Sequence, residues 1–399
     1  MVSTVTSYSD LRNRALPGEG LDGVVRVASG GYYGTGALLY DGQAVLTAAH
    51  LFDSSNSTAT VYFETTSGRQ TVQASEILIH PSYAKAQENN DLALLWLSSP
   101  APLVAERYEL YRQSDEIGQL MTLVGYGKPG TGAGGSIDYK EEPLRQKAGN
   151  RIDADIGTLK QEMGAGMAWD PEPGTQFVAD FDNGSPLNDA MGLLLTVVDL
   201  GTANEGIITP GDSGGPAFIN GQVAGVASYT TNLSTYTDEP DIDSVLNSSY
   251  GEIAAWQRVS FYQQWIDQSL RSHYPDAPTT PAEVKKSVTE GNSGVSYAYF
   301  LLQFTGVRAS AEQILSVDFT TLDGTAKAGE DYLAVSGTLK LYPDENQAVI
   351  PVEIVGDTRG EASETFYMEV SNPVGGSFGA GVATLTAVRT ILDDDGGLL

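Results

Sequence analysis

The residues Gly211-Asp212-Ser213-Gly214-Gly215-Pro216 place a serine in a turn with glycines close on either side. A serine among glycines is ordinarily a loop residue, and by itself it decides nothing. Two other stretches change its weight. Thr47-Ala48-Ala49-His50 sets a histidine behind small residues that let backbone pack tightly against it. Asn90-Asp91-Leu92-Ala93-Leu94-Leu95 sets an acid at the mouth of a very apolar strand. A base, an acid that orients it and a hydroxyl nucleophile make up an acyl-transfer triad. The order His, Asp, Ser is one of three unrelated orders in which that triad occurs. Of the other two histidines, His80 in the turn Ile79-His80-Pro81-Ser82-Tyr83 reads as structural, and His273 beside a proline-rich segment reads as solvated.

Around these motifs the pattern is all-β. Val24–Val27, Gly36–Tyr40, Ala44–Leu46, Thr60–Phe63 and Leu92–Leu97 are short apolar runs between turn residues, as in a barrel or sandwich. Residues 128–176 are rich in glycine and mixed charge and read as long loops. Apolar residues at Phe261, Tyr262, Trp265, Ile266 and Leu270 recur at helical spacing. The proline-rich run 275–281 then ends the helix and marks a linker. The domains expected are 1–274, with a core at about 20–270, and 282–395, joined by 275–281. In the second, strands recur roughly ten residues apart, which suggests an immunoglobulin-like sandwich.

The 399 residues include 22 basic and 51 acidic ones, a net charge of −29. A polyanion of this strength is repelled by nucleic acid and anionic lipid, so neither is expected as a general partner. There is no cysteine, which excludes a disulfide scaffold, a thiol nucleophile and cysteine-ligated zinc. No apolar run is long enough to span a membrane. The first residues, Met1 to Arg14, have neither a basic nor an apolar region of the kind a signal peptide needs. The expected location is extracellular, reached without a classical signal peptide or after removal of one. The acidity, the lack of cysteine and the apolar end Leu398-Leu399 all suit leaderless export.

The three motifs closely resemble those of the chymotrypsin/trypsin-like serine proteases, over roughly residues 20–270. The resemblance implies two six-stranded antiparallel barrels and a serine endopeptidase acting on proteins or peptides. It makes His50 the base, Asp91 its partner and Ser213 the nucleophile, with His50 within about 3.5 Å of both. It also makes the N–H groups of Gly211 and Ser213 the oxyanion hole. Ile207 becomes the floor of the specificity pocket, and Ser228, Tyr229 and Thr230 the substrate-binding strand. Isoleucine at the floor favours a modest apolar residue before the scissile bond, unless Glu205 swings in. No Ile-Val-Gly-Gly tetrapeptide exists to pair with Asp212, although a cut after Arg14 would expose Ala15.

Acids recur where strands end in the second domain: Glu290, Glu330-Asp331, Asp357, Glu361, Glu364 and Asp393-Asp394-Asp395. Converging carboxylates need a cation, and oxygen ligands favour calcium. Thr289-Glu290-Gly291, Asp323 to Tyr332, Glu361 to Phe366 and Asp393 to Asp395 resemble the Calx-β domain. The resemblance implies Glu290, Asp331, Asp357, Glu361, Glu364, Asp393, Asp394 and Asp395 as ligands of structural, non-catalytic calcium. Five or more of them are expected in one cluster. Gly356 stands where that family often has an aspartate. The accessory domain is also a candidate surface for another protein, and the oligomeric state stays open. The alternative reading is a calcium-dependent binding or adhesion protein with an inactive protease fold.

Overall fold

The structure is a computed structural model that describes residues 2–52 and 58–396. They form two compact units divided between Gln263 and Gln264. The division falls inside the helix Val259–Ser272, ahead of the proline-rich run. Residues Leu398 and Leu399, invoked for export, lie outside the described residues.

In the first unit a closed barrel runs Val24–Ser29, Tyr32–Leu38, Ala44–Thr47, Ala93–Leu97, Gly68–Ile79 and Thr60–Thr65 in spatial order, antiparallel throughout. Val25, Val27, Leu38, Val45, Val61, Phe63 and Leu95 fill its interior. Thr60–Thr65 alternates buried and half-buried residues, as a strand with one face on a core must. Ala44–Thr47 is buried throughout.

A second antiparallel sheet has seven strands, not six. Its order is Gln146–Arg151, Leu120–Gly125, Pro216–Ile219, Gln222–Thr231, Ile253–Arg258, Gln176–Asp180 and Ala154–Asp155. The two edge strands are consecutive in the chain, separated by Ile152 and Asp153. Ile152 N–H bonds Gln119 O near one edge and Asp153 N–H bonds Val178 O near the other. That short connection curls the sheet on itself without a closing ladder. Leu123, Phe177, Ala217 and Trp256 pack inside, with Phe177 and Trp256 stacked at 5.8 Å.

The stretch 128–176 is not simply loop. It supplies the strand Gln146–Arg151 and the helix Ile156–Met163, which Asp155 caps by accepting the Gly157 N–H. Of the strand's three buried residues, Gln146, Ala148 and Asn150, two are amides and the third is small, so hydropathy does not reveal it. No helix among the described residues is long and apolar enough to cross a membrane.

The second unit is a sandwich. One sheet orders Ser287–Thr289, Leu385–Leu392, Glu364–Val374, Leu315–Asp323 and Ser336–Leu341, and Val295–Gln303 pairs with Gln347–Val355. Phe300, Tyr332, Val352 and Phe366 belong to its core, where Tyr332 stacks on Phe366 at 4.6 Å.

Candidate active site

His50 sits in a single 3-10 turn, Ala49–Leu51, at the end of the barrel strand Ala44–Thr47. Asp91 is fully buried and precedes the strand Ala93–Leu97. These two strands are ladder neighbours, with Thr47 opposite Ala93, so pairing alone brings His50 to Asp91. Asp91 Oδ1 accepts the backbone N–H of His50 at 2.8 Å, and Oδ2 lies 2.7 Å from His50 Nδ1. A carboxylate only accepts, so Nδ1 carries the proton and the neutral ring keeps its lone pair on Nε2. Burial opposes the charged imidazolium, but the hydrogen bond and charge of Asp91 outweigh it and raise the His50 pKa above 6.5.

Ser213 comes from the second sheet's side and docks against the first barrel. Its carbonyl accepts the Thr35 N–H at 2.8 Å, and Gly214 N–H bonds Ala227 O at 2.7 Å. A side chain at Gly34 would strike both the Ser213 carbonyl and the Leu51 side chain. The nucleophile loop and the His50 turn therefore flank the same bare backbone. No hydrogen bond joins His50 to Ser213 among the described residues. The Asp91–His50 half of the expected row is formed; the His50–Ser213 half is not. Catalytic hydrogen bonds often tighten only when substrate is bound.

Gly211 has φ +102, and a Cβ there would lie 2.7 Å from the Tyr33 ring and 2.9 Å from Gly127 Cα. Only glycine satisfies both constraints. The loop is held by Asp212, whose Oδ1 accepts Gly127 N–H at 2.7 Å and whose Oδ2 accepts Thr209 N–H at 2.9 Å. Burial raises the Asp212 pKa, although these donors pull it down. Nearby, Val2 is fully buried and Ser3–Thr4 pairs antiparallel with Gly206–Ile207. Ala15 is buried with its N–H on Arg145 O, so the Arg14–Ala15 bond is not presented for cutting.

In the second unit two sets of three carboxylates come together. Glu290, Asp393 and Asp395 bring ligand oxygens within 4.8 Å of one another, and so do Asp331, Glu361 and Glu364. Burial, then Asp357, Asp393, Glu361 and Asp394, push Glu290 up to about 7. Burial, then Asp331 and Glu361, push Glu364 up to about 7. Glu361 acts on both groups, so they are electrostatic neighbours. Glu290 Oε1 and Asp395 Oδ2 are buried without a hydrogen-bond partner. Asp357 belongs to neither group and instead accepts the Arg359 N–H, while Asp394 Oδ1 accepts the Gly291 N–H. A side chain at Gly356 would meet the Gly291 carbonyl at 2.5 Å, so this backbone has no room for the missing acid.

Residues 18–168 match the family described as Trypsin, and residues 295–395 match the Calx-beta domain. The chain carries a trypsin domain followed by a Calx-beta domain. A human protein named sodium/calcium exchanger 2 is 32% identical over 153 residues, 32% of this chain and 17% of the exchanger. The Drosophila melanogaster sodium/calcium exchanger Calx is 35% identical over 89 residues, 22% of this chain and 9% of that protein. An uncharacterized peptidase of Corynebacterium glutamicum is 34% identical over 84 residues, 21% of this chain and 26% of that protein. The chain thus spans at most about a quarter of the length of these relatives.

The trypsin match contains His50 and Asp91 and ends before Ser213. Of the residues expected to meet substrate, Ile207 is fully buried in the cluster that also holds Val2. Tyr229 is half-buried, with its hydroxyl donating to Gln176 Oε1 and accepting from Trp169 Nε1–H. Thr230 is half-buried. Glu205 does not enter a pocket: its two oxygens accept the backbone N–H groups of Asp182 and Thr202. Ser228 has a task that sequence reading missed. The ladder slips between Ala227 and Tyr229, and Ser228 Oγ donates to Asp91 Oδ2 at 2.5 Å.

Sequence reading also missed four buried acids of the trypsin domain, and the burial of Glu205. Asp153, Asp180, Asp182, Asp189 and Glu205 are all buried. Burial comes first among the causes that raise Asp153 to about 8, Asp182 to about 10 and Glu205 to about 7. The alternation Asp180-Phe181-Asp182-Asn183-Gly184 was the available signal.

Proposed function

We propose that this protein is an extracellular serine endopeptidase whose Calx-beta domain binds calcium. The bidentate seating of the His50 turn on Asp91, by ring and by backbone, carries the reading. It fixes the tautomer that leaves Nε2 as a base. In the reaction, Ser213 Oγ attacks the peptide carbonyl while His50 Nε2 takes its proton. The Gly211 and Ser213 N–H groups hold the oxyanion, a contribution of roughly 3–4 kcal/mol per donor. His50 then protonates the departing amine, and the acyl-enzyme forms as the C–N bond breaks. Water, deprotonated by the same histidine, releases the acid and restores Ser213.

The buried unpartnered oxygens of Glu290 and Asp395 favour a resident cation in the second domain. Glu290, Asp393 and Asp395 would hold it in one group, and Asp331, Glu361 and Glu364 in the other. Calcium supplies charge neutralisation there and no catalytic step. The names of the exchanger relatives agree with that chemistry. The rival reading is a calcium-dependent binding protein with an inactive protease fold.

Hydrolysis of a peptide library by the full chain separates the two. The active reading expects cleavage that disappears in Ser213→Ala while the circular dichroism spectrum is kept. Cleavage retained in that variant, or no cleavage by the unaltered chain, overturns it.

A further inference from the structure

The trypsin domain carries a second group of carboxylates that the peptidase chemistry does not use. Asp180 ends the strand Gln176–Asp180, Asp182 follows it, and Asp189 caps the short helix Ala190–Leu195. One oxygen from each lies within 4.8 Å of the others, and all three residues are buried. Asp153 adjoins them, accepting the Asp180 N–H through Oδ2 at 3.1 Å.

Backbone donors satisfy only part of this charge. Asp180 Oδ2 accepts the Met191 N–H at 2.6 Å, and Asp189 Oδ1 accepts the Gly192 N–H at 2.5 Å. Asp182 is 3% exposed, and its Oδ1 is buried without any partner. Asp153, 5% exposed, has the same orphaned Oδ1. Among the described residues no lysine or arginine forms an ion pair with any of these four carboxylates. The nearby Arg151 bonds Asp199 instead. Buried anions without a counter-charge cost several kcal/mol each, so this arrangement needs either protons or a cation.

We propose that Asp180, Asp182 and Asp189, with Asp153 beside them, form a calcium site within the trypsin domain. All its donors are hard oxygens, which suit calcium over zinc or copper. Carboxylates set on a strand end, a loop and a helix cap form an irregular frame that calcium tolerates better than magnesium. Beside the site, Glu205 accepts the Asp182 N–H at 2.7 Å, which ties together the two ends of the segment 182–205. That segment leads directly into Gly206–Ile207 and the Ser213 loop, so the ion stabilises the approach to the nucleophile. The inference stands apart from the calcium reading of the Calx-beta domain.

Equilibrium dialysis of the full chain against calcium chloride tests it. In a background carrying Glu290→Gln, Asp331→Asn, Glu364→Gln and Asp395→Asn, bound calcium in the second domain is removed and one ion per chain should remain. Adding Asp182→Asn should weaken that ion's binding by at least about tenfold, since ligand charge sets calcium affinity. In chelator Asp182→Asn should hold or raise the Tm, because it relieves repulsion, while the calcium-induced rise in that background shrinks. No calcium bound in the background overturns the proposal, whether or not the Asp182 variant folds. Binding unchanged by Asp182→Asn overturns it as well, and the carboxyls then hold protons.

Discussion

Ser228 Oγ lies 2.5 Å from Asp91 Oδ2, the same oxygen that His50 Nδ1 reaches at 2.7 Å. Gln257 Nε2 stands 3.3 Å behind Ser228 Oγ as a further donor. Asp91 is therefore positioned from the second sheet as well as from the first barrel. Ser228→Ala removes a donor to a charged acceptor, worth about 1.5–3 kcal/mol. The expected fall in kcat/KM is about 10- to 100-fold. With one donor fewer, Asp91 holds the imidazolium more strongly, so the acid limb of the pH–rate profile moves up. An unmoved limb would mean that Ser228 only packs.

On the peptidase reading, His50 should set the low-pH side of activity. Burial disfavours its charged form, yet the Asp91 hydrogen bond and charge prevail and its pKa lies above 6.5. The base works only when neutral, so kcat/KM should be lost as pH falls through that value and be full above it. Asp91→Asn should lower the limb and cut kcat by about 10⁴-fold through loss of the tautomer. A flat profile from pH 5 to 9 would contradict the assignment of His50 as base.

Gly211→Ala forces a Cβ against the Tyr33 ring and the Gly127 backbone at a positive φ. The loop must shift and carry the oxyanion donors with it. A drop in kcat of about 10²–10³-fold is expected, with little change in KM. Full activity in this variant would mean that the Gly211 N–H does not face the oxyanion.

If the second domain binds calcium as proposed, calcium should raise the Tm of the full chain by mass action, because the unfolded chain has no such site. The rise should be smaller in Glu290→Gln/Glu364→Gln. An equal rise would mean that these acids are only solvated surface.

Much of this molecule is legible in its sequence because the chemistry leaves rigid demands. Glycines at 211 and 214 are required by positive φ and close approach of neighbouring chain, and such requirements show as letters. Which acids of the second domain meet is not written in their spacing: Glu290 joins Asp393 and Asp395 from the far end of the domain, while Asp331 joins Glu361 and Glu364. Ser228's support of Asp91 depends on a one-residue slip in a ladder, which no local pattern encodes. Gln146–Arg151 escapes because two of its three buried residues are amides, and hydropathy registers amides as exposed. The acids at 153, 180, 182 and 189 escape because a buried carboxylate and a surface one are the same letter. What separates them is the fold around them.

The central claim is that Ser213 is an activated nucleophile. Mass spectrometry of the full chain after treatment with a fluorophosphonate tests it most directly. One covalent adduct per chain is expected, on Ser213, and it should vanish in His50→Ala. A chain that stays unlabelled, or one labelled equally well without His50, would contradict the account.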